Sequence, residues 1–258
     1  MTHQSLTSLS LKERFERFMS SADFAESIDA LTVANQTPGR QKADYLAFNR
    51  SVIIEQKSLD RDVDAKIAAL LGVFTRQHRP LEGEHVTLAG IIEAVAKLPP
   101  GNPFRPRLRA ILTQKIDDLL AKADKQTRDT RLTFSIPEAV GIVVVLNEHA
   151  PLIEPDYFQD KAWDMLRKER EPGKLRYPEN QVVLLISEAH RIPSDDGSEL
   201  IPIETAISEA GLKNLAAESF AKELRLRWAE FNQAGTRESL GPTREVTTRD
   251  AATLFKTR

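Results

Sequence analysis

Apolar residues recur at helical spacing in the first part of the chain. Ser10 and Glu13 have the spacing of a capping box, and Phe15 and Phe18 follow three positions apart. A second helix is predicted over residues 22–34, because its apolar residues recur every three to four positions. The chain therefore begins with two predicted helices.

The pattern then changes to that of two short strands. Residues 43–48 and 51–58 are rich in aromatic and β-branched residues, and Asn49 and Arg50 separate them. Asn tolerates the left-handed backbone that a tight turn needs. The two segments therefore predict a β-hairpin.

The helical period returns from residue 59 and lasts to about residue 128, in three apolar stripes. A strand is then predicted over residues 131–136. Residues 141–146 and 181–186 are continuous apolar strands, and a helix over residues 155–169 separates them, with Trp163 and Leu166 facing the core. A strand, a helix and a strand in this order predict parallel pairing.

The last predicted helix covers residues 212–231, with large apolar residues at steps of four. The chain is thus predicted to be one α/β domain over residues 1–233, in which residues 59–128 form a large helical insertion. Residues 234–258 are poor in core residues and are predicted to be a polar tail.

Composition narrows the class of protein. The 258 residues contain 36 Lys and Arg against 38 Asp and Glu, so the formal net charge is −2, which excludes a strongly basic nucleic-acid coat. Cysteine is absent, which excludes disulfides and thiolate chemistry. No secretory signal is visible, and the longest apolar run, residues 139–146, is too short to span a bilayer. A cytoplasmic protein without membrane contact is expected.

Candidate chemistry lies on the predicted hairpin. With a loop of two or four residues, residue i pairs with residue 99 − i, so Asp44 lies opposite Glu55. Lys57 points to the same side as Glu55, because side chains alternate along a strand. Two opposed carboxylates repel each other unless a cation lies between them, and Mg²⁺ favours such oxygen ligands. The alternative is an exposed hairpin face with an ordinary Lys–Glu pair.

Asp44, a gap of ten residues and then Glu55-Gln56-Lys57 resemble the PD-(D/E)XK signature. This is the motif of the restriction-endonuclease-like nuclease superfamily, although Ala43 replaces the usual proline. The resemblance implies a restriction-endonuclease-like mixed sheet flanked by helices, with an α-β-β-β-α-β core. It also implies Mg²⁺ or Mn²⁺ held by Asp44, Glu55 and the main-chain carbonyl of Gln56, with Lys57 assisting the attacking water.

Many such enzymes have a further glutamate on the helix before the first strand. The resemblance places it at Glu26, or else at Glu16. Two features depart from the family: roughly seventy residues of helix, 59–128, replace one helix, and no convincing first strand precedes Ala43.

A basic cluster follows in the helical block. Arg105, Arg107 and Arg109 are candidate phosphate contacts, with a solvated cluster as the alternative.

The leading hypothesis is a divalent-metal-dependent nuclease that hydrolyses phosphodiester bonds, with DNA favoured over RNA as substrate and partner. The alternative is a catalytically inactive nuclease-fold module that binds nucleic acid or a protein partner. A homo-oligomer or a larger defence or mobile-element complex is a further expectation for the assembly. A third hypothesis is a protein-interaction scaffold that docks through its helices.

Overall fold

A computed structural model describes residues 9–31, 40–59, 66–67, 69–70, 103–193 and 199–235. Its helices are α1 (Leu11–Ser21), α2 (Phe104–Phe134), α3 (Pro155–Arg167), α4 (Glu209–Lys213) and α5 (Leu215–Gly235). Its strands are β1 (Ala25–Ser27), β2 (Tyr45–Ala47), β3 (Val52–Ser58), β4 (Val140–Asn147), β5 (Glu169–Glu171), β6 (Lys174–Leu175), β7 (Val182–Ser187), β8 (Ile192–Pro193), β9 (Glu199–Leu200) and β10 (Ile203–Ile207).

Six strands form one mixed sheet in the order β1-β2-β3-β4-β7-β10. The central strands β3, β4 and β7 are parallel, and the strands on either side of them are antiparallel. The predicted α/β class is confirmed, and so is the parallel strand–helix–strand unit, which is β4–α3–β7. Strands β3 and β4 are parallel as well, and α2 lies between them in sequence. Most of α2 belongs to the segment, residues 59–128, that the sequence predicted as an insertion.

Helices cover both faces of the sheet. Helices α1 and α5 pack on one face, against residues such as Ile142 and Leu184. Helices α2 and α3 pack on the other face, against residues such as Val143 and Val183. Strands β4 and β7 are therefore buried on both sides, which explains their continuous apolar sequences.

The hairpin has the predicted register. Tyr45 pairs with Ile54, and Ala47 pairs with Val52, so each pair of residue numbers sums to 99. Four residues connect the strands, and the backbone of Phe48, Asn49 and Arg50 is left-handed, with φ of 51°, 54° and 63°. The turn therefore places three non-glycine residues in a conformation that costs L-amino acids energy.

The predicted helix over residues 22–34 is wrong where the structure describes it. Residues 25–27 form the edge strand β1, and Ile28–Ala30 form a single 3₁₀ turn, while residues 32–34 lie outside the described part. The free edge of β2 supplies backbone partners to this segment, and tertiary pairing overrides its helical spacing. Strand β1 is also the first strand that the sequence did not reveal ahead of Ala43.

The predicted strand over residues 131–136 is wrong as well. Helix α2 continues to Phe134, and the following residue, Ser135, is its C-cap and has a left-handed backbone. The guanidinium of Arg131 bonds the carbonyl of Ala139 and the carboxylate of Glu179, and these contacts hold the last turn against the next strand. Trp163, predicted to face the core, is 45% exposed and stacks under Arg167.

Other predictions fall partly beyond the described residues. Of the predicted insertion 59–128, most of the segment before α2 lies outside them, and so does the predicted tail apart from residues 234–235 at the end of α5. Within the described ranges, no helix is both long and apolar enough to cross a membrane.

Candidate functional site

The site lies where β2 begins and β3 ends. The N–H of Asp44 donates to the carbonyl of Ile54 at 3.2 Å, which is the last main-chain bond of the hairpin on this side. Two residues further along β3, the N–H of Gln56 donates to Oδ2 of Asp44 at 2.6 Å. The Asp44 carboxylate thus replaces the main-chain acceptor that a longer β2 would have supplied, and this fixes its position at the end of the ladder.

Glu55 and Lys57 lie on the sheet face that α2 covers. Their partners on β4, Val143 and Val145, belong to the core beneath α2 and α3. Glu55 is only 1% exposed, and its Oε1 forms an ion pair with Nζ of Lys57. Its Oε2 is buried and has no hydrogen-bond partner among the described residues. One oxygen of this carboxylate is therefore left available for a ligand.

Burial raises the pKa of both carboxyl groups, and the charge of Asp44 also contributes to the shift of Glu55. Burial and, as a smaller cause, the charge of Asp44 raise the pKa of Glu55 to about 8, while Lys57 and the neighbouring Gln126 amide oppose the shift. Burial also raises the pKa of Asp44, against the hydrogen bond from the Gln56 N–H and the charge of Lys57. The two acids therefore lie close enough to repel, and a cation between them would favour their ionised forms.

Gln126 of α2 supports Lys57, and the sequence analysis did not identify it. Its Oε1 accepts a hydrogen bond from Nζ of Lys57 at 2.6 Å, and its Nε2 donates to the carbonyl of Lys42 at 2.9 Å. One amide group therefore joins the lysine to the segment that leads into Asp44.

Two further residues of α2 accept hydrogen bonds from the same segment, which leads into Asp44. The N–H of Ala43 donates to Oγ1 of Thr130 at 2.8 Å, and the N–H of Gln41 donates to Oδ2 of Asp129 at 3.2 Å. Gln126, Asp129 and Thr130 are spaced i, i+3, i+4 and share one helix face. This polar stripe could have indicated that α2 contacts another polar segment. The sequence prediction missed it because it ended the helix near residue 128.

An open cleft of about 810 Å³ extends from Asp44 and Lys57 between α1 and α2. Five lysines line it: Lys12, Lys57, Lys66, Lys115 and Lys122. Three acids also line it: Glu16, Asp44 and Asp118. The cleft has an excess of positive charge although the chain as a whole is negative, so it attracts anions.

The structure separates the two candidates for the additional acid. Glu26 lies on the edge strand β1 rather than on a helix, and its half-exposed carboxylate pairs with the Arg50 guanidinium at 2.9 Å and 3.2 Å. It is not among the described residues that line the cleft. Glu16 of α1 does line the cleft, beside Asp44. The expected helical position of Glu26 is thus wrong, and the role of either residue as an additional acid stays a prediction.

Neither Arg107 nor Arg109 of the predicted arginine cluster is among the described residues that line this cleft. Arg107 is exposed near the start of α2, and Arg109 lines a different cleft, between α2 and α3. The Arg105 side chain lies outside what the structure describes. The lysines of the cleft are scattered along the sequence from residue 12 to residue 122, so no run of basic residues predicted the cleft.

The residues present fit a divalent cation. The buried Oε2 of Glu55 lacks a protein partner in the described part of the chain, and Asp44 adds a second carboxylate. Among the described residues, no group of three or more His, Asp or Glu side chains has a metal-binding arrangement. A Mg²⁺ or Mn²⁺ ion here would therefore rely on two carboxylates, a main-chain carbonyl and water, which is common for Mg²⁺.

No family model, curated protein or solved structure matches this chain.

Proposed function

We propose that the protein is a divalent-metal-dependent nuclease with a PD-(D/E)XK-type site, and that DNA is its preferred substrate. The observation that supports this most strongly is the position of Asp44, Glu55 and Lys57 at one end of a lysine-rich cleft. Acids can hold a metal that activates water, and lysines attract phosphate, so the two together suit phosphodiester hydrolysis by metal-activated water.

The order of elements supports the same assignment. In the described part of the chain, the elements follow in the order α1, β1, β2, β3, α2, β4, which is the α-β-β-β-α-β order that the resemblance implies. Asp44 immediately precedes β2, and Glu55-Gln56-Lys57 lie on β3, as the motif requires. A restriction-endonuclease-like core is therefore part of the proposal.

Each residue of the motif has a specific task. Asp44, Glu55 and the Gln56 carbonyl hold the cation, which when bound supplies Lewis-acid activation of water and phosphate. Lys57, held by Gln126 at 2.6 Å, places an ammonium group beside the scissile phosphate and orients the water. The other cleft lysines hold the flanking phosphates, and Glu16 adds a carboxylate at the wall opposite α2.

The test is cleavage of plasmid and single-stranded DNA with Mg²⁺ or Mn²⁺. Asp44→Asn and Lys57→Ala should each lower the rate by about 100-fold or more, the scale of losing one electrostatic group of a site. Asp160→Asn and Lys213→Ala change the same residue types at exposed positions on α3 and α4, and should cleave like wild type. Equal activity in all five proteins, or no metal-dependent cleavage by any of them, would refute the assignment.

A second candidate is a nuclease-fold module that binds nucleic acid without cleaving it. The ion pair between Lys57 and Glu55 favours it, because the lysine already neutralises the buried acid. Salt-dependent DNA binding without hydrolysis, together with no calorimetric signal for Mg²⁺ or Mn²⁺, would select this function over the nuclease.

A further inference from the structure

A second basic cleft borders helix α2, next to the cleft of the candidate active site. It has a volume of about 480 Å³ and lies between α2 and α3. Four cations line it: Arg109, Lys161, Lys168 and Arg176. Asp117 and Asp164 are its carboxylates, so this cleft also has an excess of positive charge.

Folding brings together three of these cations from two basic segments that are distant in sequence, and Lys161 joins them from within α3. Arg109 belongs to the arginine cluster at the start of α2, whereas Lys168 and Arg176 belong to the basic run after α3. Packing of α3 beside α2 on the same sheet face brings the two runs together. The basic character of this cleft is thus produced by the tertiary fold.

Arg176 is held in place within the cleft. Its Nη2 lies 2.6 Å from Oδ2 of Asp117, and its guanidinium lies over the ring of Tyr177, 5.2 Å from the centroid. Lys161 is similarly paired with Asp164 at 2.7 Å. Lys168, at the end of α3, is exposed at the cleft and is the most accessible of the four cations.

The two clefts meet along one ridge of α2. Residues Ala110, Gln114 and Asp117 line the second cleft, and their immediate neighbours Ile111, Lys115 and Asp118 line the first. These pairs recur at i, i+4 and i+7, so they follow one line along the helix. The two basic surfaces are therefore separated by no more than the width of α2, about 10–12 Å.

We propose that the second cleft is an additional binding site for the phosphate backbone of the nucleic acid, reached by the same strand after it crosses α2. This inference rests on the proposed function, because the strand is the substrate of the first cleft. With one phosphate per about 3.4 Å of rise, roughly three or four nucleotides cross a helix of this width. A strand must therefore be longer than the active-site cleft to contact Lys168.

The test compares single-stranded oligonucleotides of two lengths. A strand of about 6 nucleotides is long enough for one cleft, and a strand of about 30 nucleotides is long enough for both. Binding is measured by fluorescence anisotropy in EDTA, so that no cleavage occurs. Lys168→Ala should weaken binding of the long strand and leave the short strand unchanged. It should also reduce the magnitude of the salt slope for the long strand by about 0.7, the value for one lost phosphate contact on a single strand.

Lys222→Ala is the matched control, because Lys222 is exposed on α5, on the other face of the sheet. A Lys168→Ala effect no larger than that of Lys222→Ala, or an equal loss for both lengths, would overturn the second site. Metal-dependent cleavage of the short strand by wild type is the separate readout of the proposed function. If that cleavage fails while long-strand binding still depends on Lys168, the nuclease assignment fails and the binding site stands.

Discussion

Oδ2 of Asp44 accepts the backbone N–H of Gln56 at 2.6 Å, across the end of the β2–β3 ladder. This bond ties the first acid of the motif to the main chain of the second segment. It also stabilises the ionised carboxylate of Asp44 and so opposes the rise in pKa that burial causes. The position of the acid is therefore set by the backbone rather than by a flexible side-chain contact.

This hydrogen bond predicts that the effect of the Asp44 charge on metal binding can be measured separately from the effect of its hydrogen bond on stability. An Asn at this position keeps an oxygen that can accept the Gln56 N–H, so Asp44→Asn should unfold at nearly the wild-type urea concentration. Asp44→Ala leaves that N–H without its partner and should lose about 1–3 kcal/mol of stability. Both variants should lose metal binding in calorimetry. Equal stability of the two variants would show that the bond does not position the acid.

Gln126 is expected to be a positioning residue for Lys57. Gln126→Leu removes the acceptor of Lys57 and the donor to the Lys42 carbonyl, and should cost about 1–3 kcal/mol in urea unfolding. If the nuclease assignment holds, kcat should fall while KM for DNA stays near the wild-type value, because the phosphate-binding lysines remain.

Gln114→Leu serves as the matched control for this variant. Gln114 lies on the same helix but is exposed, and its side chain bonds only Asp118 in the described contacts, at 2.7 Å. Because Gln114 lines only the second cleft, its loss should change neither stability nor kcat on a short strand appreciably. A kcat for Gln126→Leu as high as that for Gln114→Leu would contradict the positioning role.

The hairpin was predicted correctly because residues 43–48 and 51–58 are rich in aromatic and β-branched residues, and a loop of either two or four residues gives the same register. The central strands were equally clear, since residues buried on both faces leave a continuous apolar run. Both features depend on neighbours within the same segment, so a single sequence contains them.

Contacts between distant segments could not be predicted in this way. The edge strand β1 has three residues and no periodicity of its own, and it exists because β2 offers a free edge. Gln126 meets Lys57 across 69 residues of chain. The basic cleft likewise draws Lys12 and Lys122 from helices on opposite faces of the sheet, so its charge appears only after folding.

Asp124 is expected to make stability depend on pH. This carboxyl on α2 is buried and accepts the Glu179 N–H at 2.8 Å, and burial, with the charge of Glu179 as a smaller cause, raises its pKa to about 6. The native state therefore binds more protons than the unfolded state between pH about 4 and 6, and stability from this group falls as pH rises through that window.

Asp124→Asn removes this titration and retains an oxygen for the Glu179 N–H. Relative to wild type, its free energy of unfolding should increase as pH is raised from about 4 to 7, and should change little above that range. Asp160→Asn, at an exposed position on α3, should track the wild-type profile. A stability difference between Asp124→Asn and wild type that is constant across this pH range would contradict the linkage.

The hairpin turn should be sensitive to side-chain branching at Asn49. Its φ of 54° lies in the left-handed region, which Asn tolerates and β-branched residues do not. Asn49→Val should therefore destabilise the protein by about 1–2 kcal/mol. Asn49→Gly should unfold at the wild-type urea concentration or slightly above it, because glycine adopts this conformation freely in the native turn. Asn49 is exposed, so neither change removes core packing, and equal losses in both variants would show that the backbone conformation is not the cause.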